Sequence, residues 1–266
     1  VNDIDYFCPY IYGEMSVYVY YYNDGTYSHI SIQHDYSLEE IKDIINRVDQ
    51  EINKVLSGIT ENMSNIDTLL YIHDYIVYNC VYGYSNDNYN DSFRSGGMLL
   101  NKRGVCQSYS YLYKYLLNVL GYECDVVSSD SMSHAWNIVK VDNDYYHVDV
   151  TWDDPLYDQL GRVQHTYFLV SDDEMVNSRK HDGWDKSLYT CDSTQYDNAY
   201  WVQEDIISQI VNDGNYQYYL TDSGIIKRNK NTNTTETIDN MRYYYWGVIN
   251  GSGYWIGKYS GFFMHD

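Results

Sequence analysis

The chain has 266 residues, enough for one large domain, or a domain plus a smaller module, with a proper core. A net charge of −21 and a pI near 4.5 make nucleic acid and anionic membranes poor partners, since both demand a basic face. No apolar run reaches the roughly 18 residues that a membrane helix requires, so the chain carries no transmembrane segment. The acidity reads as a solubilising surface. Tyrosine is the anomaly, with 35 residues against 5 phenylalanines and 2 prolines, and in a β-rich chain it reads first as an ordinary strand residue.

Residues Met15 to Gln33 predict a hairpin, because VYVYYY and TYSHISIQ flank Asn23, Asp24 and Gly25. Ser37 and Glu40 form a capping box, followed by a helix with Ile41, Ile44, Ile45, Val48, Ile52, Val55 and Leu56 on one stripe. A second helix starts near Ser64, with Asp67 three residues on. His73 lies on or beside its apolar stripe and reads as a packed histidine bonded to backbone. Tyr82 to Ser95 shifts to Asn, Asp, Ser and Tyr, an irregular connection placed to wall a cleft. Gly96 and Gly97 are no phosphate cradle, because the lysine and the hydroxyl residue of such a loop are absent.

The segment from Arg103 to Tyr122 predicts a helix through Tyr109, Leu112, Tyr113, Leu116, Val119 and Leu120, ended at Gly121. Cys106 then falls in the first turn, where free N–H groups and the helix dipole favour a thiolate. SHAWNIVKV and YYHVDVTW predict a hairpin about Asp142, Asn143 and Asp144. If Asp142 and Asn143 are the central turn residues, Asp149 lies opposite Trp136. His134 then shares the face of Asp149, one diagonal step of roughly 7 to 8 Å away. A helix docked on that face would bring Cys106 to a base and its orienter already in place. Taken singly each residue is weak: a cysteine in an apolar helix is ordinarily a small buried hydrophobe, and a strand-end aspartate ordinarily bonds nearby backbone. The combination carries the reading.

Asp153, Asp154 and Pro155 read as a solvated surface turn, and His165 and His181 as packing or cleft-wall positions. Cys8, Cys80, Cys106, Cys124 and Cys191 are scattered with no CxxC pair, which argues against a structural zinc site and leaves their disulfide state open. From about Thr190, short aromatic strands are broken by Gly, Asn and Asp. They predict successive hairpins whose aromatic side chains read first as a sheet packed on the core and second as a sugar-stacking surface.

GVCQSYSYLYKYLLNVLGYEC, SHAWNIVKV and YYHVDVTWDDP resemble the signature blocks of the transglutaminase-like superfamily, in its bacterial transglutaminase/protease-like branch. The resemblance runs from about Asp5 to about Trp184. It implies an α+β, papain-like core, in which a helix carrying the cysteine packs on an antiparallel sheet carrying histidine and aspartate, with an opening segment packed beside it. With the change of pattern near Thr190, the chain divides into a transglutaminase-like domain at 1–189 and a small β-rich, Tyr/Trp-rich module at 190–266. The resemblance implies Cys106 as nucleophile, His134 as base and acid, and Asp149 as orienting carboxylate, with no cofactor or metal required. The backbone N–H of Cys106 is the first oxyanion donor. The second is unassigned, with Gln107, Trp136 and Trp152 as the substrate or oxyanion candidates. The partner implied is a peptide or protein substrate, cell-wall peptide or glycan included, for a secreted or cell-surface protein. Hydrolysis is the leading activity, because no calcium-binding loop of the cross-linking enzymes is recognisable. Protein cross-linking, or a catalytically silent module that binds peptide or glycan, are the alternatives.

Overall fold

Asp24 and Gly25 reverse the chain between β1 (Met15–Tyr21) and β2 (Tyr27–His34), with Asp24 Oδ1 accepting the Thr26 N–H at 2.9 Å and Gly25 at φ 82. The computed structural model describes residues 7–10, 15–34, 36–85, 89–156, 161–239, 243–249, 252–257 and 262–264. The hairpin is the expected one, but it does not bury its apolar side chains against the core. Val17 is 53% exposed and Ile32 64%.

Two capping boxes start the helical layer. Ser37 and Glu40 bond reciprocally at the head of α1 (Leu38–Leu56), and Ser64 and Asp67 do so at the head of α2 (Asn65–Asn79). Ile44, Val48, Ile52 and Val55 of α1 pack with Leu69, Leu70, Ile72 and Ile76 of α2. β3 (Val81–Tyr82), a 3₁₀ turn at Tyr89–Phe93 and α3 (Ser95–Asn101) lead to β4 (Arg103–Gly104) and α4 (Cys106–Val119). α4 buries Tyr109, Leu112, Tyr113, Leu116 and Leu117 in the same core. Gly121, at φ 86, follows its last turn.

The four-stranded sheet has the order β5 (Cys124–Ser129), β6 (His134–Val141), β7 (Asp144–Val148), β8 (Phe168–Val170), antiparallel throughout. Val141 pairs with Asp144 and Asn137 with Val148, the register read from the turn, with Asp142 at φ 55. The two faces have different partners. Val139, Val141, Tyr146 and Val148 join the helical core, while Trp136 and Ile138 pack with Val127, Val170, Met175 and Trp184 on the other face. The cysteine helix therefore docks on the face opposite the one expected, because the apolar residues that match its stripe are the odd-numbered ones of β6.

After α5 (Asp172–Asn177) and α6 (Tyr200–Gln203) comes a second antiparallel sheet. Its strands are β9 (Val211–Asp213), β10 (Tyr216–Thr221), β11 (Gly224–Asn229) and β12 (Thr235–Asp239), followed by a three-stranded sheet of β13 (Tyr243–Ile249), β14 (Ser252–Gly257) and β15 (Phe262–Met264). The core is continuous across residues 189 and 190. Trp201, Ile206, Ile210, Tyr219 and Ile226 join the helical cluster, and Asp74 Oδ2 accepts the Ile210 N–H at 2.7 Å. The protein is thus a mixed helix-and-sheet fold whose three- and four-stranded sheets are antiparallel, with a β-rich C-terminal part.

Candidate active site

Cys106 is the first residue of α4, and Val105 before it provides no side-chain cap, so no N-cap side chain competes for the first-turn N–H groups. One turn on, Ser110 Oγ donates to the Ala135 carbonyl at 2.9 Å, and the Ala135 N–H turns back to the Cys106 sulfur. The helix thereby brings its first residue to the start of β6. His134 is the first residue of that strand, preceded by Ser133 at φ 49. Thiol and imidazole, from opposite faces of the sheet, meet at its end.

His134 Nε2–H donates to Asp149 Oδ2 at 2.6 Å, which leaves Nδ1 for the hydrogen bond with the Cys106 thiol. Asp149 is fully buried, and its Oδ1 accepts the N–H groups of Thr151 and Trp152, each at 3.1 Å. Burial opposes ionisation of Asp149, but the bonds from His134 and His181 outweigh it and hold the carboxyl below its ordinary range. Burial would likewise discharge His134, yet the bonds to Asp149 and Cys106 raise it to about 9. Against the same penalty, the bond and charge of His134 and the Ala135 N–H lower the Cys106 thiol. Both directions favour a thiolate–imidazolium pair over a neutral thiol and imidazole.

Below His134, Trp136 stacks at 5.6 Å and 19°, and Trp152 tilts over it at 5.6 Å and 45°. Of the three substrate or oxyanion candidates, Trp136 is fully buried and its N–H is given to His147, so it supports His134 from beneath and faces no substrate. Trp152, 42% exposed, lines a cleft of about 520 Å³ beside His134. Gln107 is half-buried next to the nucleophile. The same cleft holds Tyr82, Thr151, Leu156 and Gln164. Tyr82 is carried there by the parallel pairing of β3 and β4, which sets it against Gly104. Burial, then the charge of the Cys106 thiolate, raises its phenol, which therefore stays protonated as a donor. Thr151 is 8% exposed, and its Oγ1 has no hydrogen-bond partner.

The Asp153–Asp154 turn, expected in solvent, is buried. Asp153 accepts the Tyr167 N–H at 3.1 Å and faces His73 Nε2 at 3.2 Å, while Asp154 accepts the Tyr109 hydroxyl. His73 is held by the carboxylates of Asp74 and Asp153 instead of by backbone. His165 also meets Asp74, at 2.9 Å. All five cysteines are free thiols.

Among the described residues, three groups have the donors to hold a metal: His73–Asp74–His165, His134–Asp149–His181 and His147–Asp172–Cys191. In each, imidazole nitrogens already meet carboxylate oxygens at 2.6–2.9 Å, so protons satisfy these pairs.

Fourteen solved chains resemble this one. A structure described as "Crystal structure of a TGase" is 17% identical at a TM-score of 0.34, covering 44% of this chain and 34% of its own. Another, of a "Putative Cysteine Protease from Cytophaga hutchinsonii", is 14% identical at a TM-score of 0.33, covering 55% of this chain and 64% of its own. The matched part thus spans less than two thirds of either known chain. No curated protein sequence matches. The family model of the transglutaminase-like superfamily matches residues 51–150. Residues 51–150 are therefore similar to the transglutaminase-like superfamily, and Cys106, His134 and Asp149 all lie within that span.

Proposed function

We propose that the chain is a cysteine-dependent acyl-transfer enzyme that hydrolyses peptide or amide bonds. The observation that carries the reading is the unbroken hydrogen-bonded line from the Cys106 thiol through His134 to Asp149, opening on a cleft. The match of residues 51–150 to the superfamily supports a cysteine-based enzyme. The Cys106 thiolate attacks the amide carbonyl, and the imidazolium of His134 gives its proton to the leaving amine. Water then attacks the thioester, His134 takes its proton, and the acid departs as the thiol is restored. Asp149 keeps the imidazole in one tautomer throughout. The backbone N–H of Cys106, at the start of α4, serves as an oxyanion donor.

The net charge of −21 favours peptides with free amines by steering. Purified protein is incubated with neutral, basic and acidic glutamine-containing peptides together with a fluorescent primary amine, and the products are resolved by mass. Hydrolysis products from the basic peptides, absent with Cys106→Ala, are expected. Faster formation of the amine adduct would replace the reading with cross-linking, and equal turnover by Cys106→Ala would remove it.

A further inference from the structure

Asp149 serves two histidines. The Oδ2 atom that accepts His134 Nε2–H at 2.6 Å also lies 2.8 Å from Nε2 of His181, a residue the sequence offers only as packing or cleft wall. His181 is fully buried, with Trp152 at 4.3 Å, Trp136 at 5.1 Å and Tyr167 at 5.2 Å around its ring. Its Nδ1 lies 3.2 Å from the Arg179 carbonyl, and its backbone N–H donates to the Met175 carbonyl at 2.9 Å. The chain around it takes uncommon conformations to do this, with Lys180 at φ 61 and Gly183 at φ 78. A Cβ on Gly183 would sit 2.5 Å from Ser131 Oγ, so the loop also lies close against the turn before β6.

We propose that His181 is a positioning residue of this site, the fourth member of a line that runs Cys106, His134, Asp149, His181. With Oδ1 pinned by two backbone N–H groups, the donor from His181 fixes the remaining freedom of the carboxylate and aims Oδ2 at His134. The ionisable groups around the ring are Asp149 and His134 of the sheet, Tyr167 of the loop before β8, and His147 beneath Trp136. The guanidinium of Arg179 is turned to Glu174 at 3.3 Å.

The inference rests on the proposed acyl-transfer reading only for its effect on turnover. The test reads the thiolate directly and needs no substrate. Cys106 alkylation by iodoacetamide is followed from pH 5 to 9 in wild type, His181→Phe and His181→Gln. Phe fills the space among the aromatic rings without a donor, whereas Gln keeps an N–H. For His181→Phe the midpoint is expected to rise by about one pH unit, a roughly tenfold loss of rate at low pH, with His181→Gln close to wild type. A wild-type profile in folded His181→Phe overturns the proposal and leaves His181 as packing. If the Phe variant does not fold, nitrogen-correlated proton spectra of wild type decide. A slowly exchanging Nε2–H that disappears in His181→Gln supports the proposal, and its absence from wild type overturns it. Loss of peptide turnover in every assay, with the alkylation shift intact, would sink the hydrolase reading and leave this inference standing.

Discussion

The indole N–H of Trp136 donates to His147 Nδ1 at 2.9 Å, and that bond fixes both a tautomer and a plane. With Nδ1 accepting, the His147 proton sits on Nε2 and goes to Asp172 Oδ1 at 2.8 Å, while burial depresses the charged form of the ring. The indole is thereby locked in the plane on which His134 rests. Trp136→Phe keeps a ring under His134 but leaves His147 Nδ1 buried and unpaired. A loss of about 1–3 kcal/mol is expected in urea denaturation, and His134 should lose its proton at a lower pH.

Cys106 titrates below an ordinary thiol, and His134 stays charged up to about 9. Alkylation should therefore persist to lower pH than that of an ordinary thiol. In His134→Ala the thiol returns to its ordinary range near 8.5, so its ionised fraction at pH 6.5 is about one in a hundred. A stopped-flow alkylation series from pH 5 to 9 checks this, and unchanged profiles would remove the ion pair.

His73 offers a stability test remote from the thiol. Burial disfavours its charge, but the bonds to Asp153 and Asp74 prevail and raise it to about 9. The sign is that of a raised histidine: the stabilisation is complete below the unfolded value near 6.5 and is lost as pH climbs through about 9. Thermal melts of wild type should fall over that interval. His73→Leu leaves two carboxylates buried without their cation. It should cost about 3–5 kcal/mol at pH 6.5 and flatten the alkaline fall.

Thr151→Val removes the one Thr151 hydroxyl that is buried without a partner at the cleft. Stability should hold or rise by up to about 1 kcal/mol, since an unpaired hydroxyl is replaced by a methyl of similar size. Substrate binding should weaken by about two- to tenfold, the worth of one hydrogen bond. A lower Tm with unaltered KM would show the hydroxyl to be structural.

Much of this arrangement was legible in the chain because parity and capping are local. The turn about Asp142 set the register that puts His134 and Asp149 together, and Ser37 and Ser64 announced their helices. Parity says which residues share a face. It does not say which face a helix covers, and the side chosen by α4 depends on partners from four strands. The buried turn was misread for a related reason: Asp153 finds His73 80 positions away, and Asp154 finds Tyr109 45 positions away. His181 lies 32 positions from Asp149, and Tyr82 reaches the cleft only by a parallel pairing with Gly104. Such contacts leave no periodic trace.

Because sulfur and imidazole are supplied from opposite sides of one sheet, their alignment gauges how well two layers are seated. A slight slip of the helix along the strands would separate them without breaking either secondary structure. Reactivity should therefore fade at lower urea than circular dichroism, the thiol reporting loosening of the layers ahead of global melting.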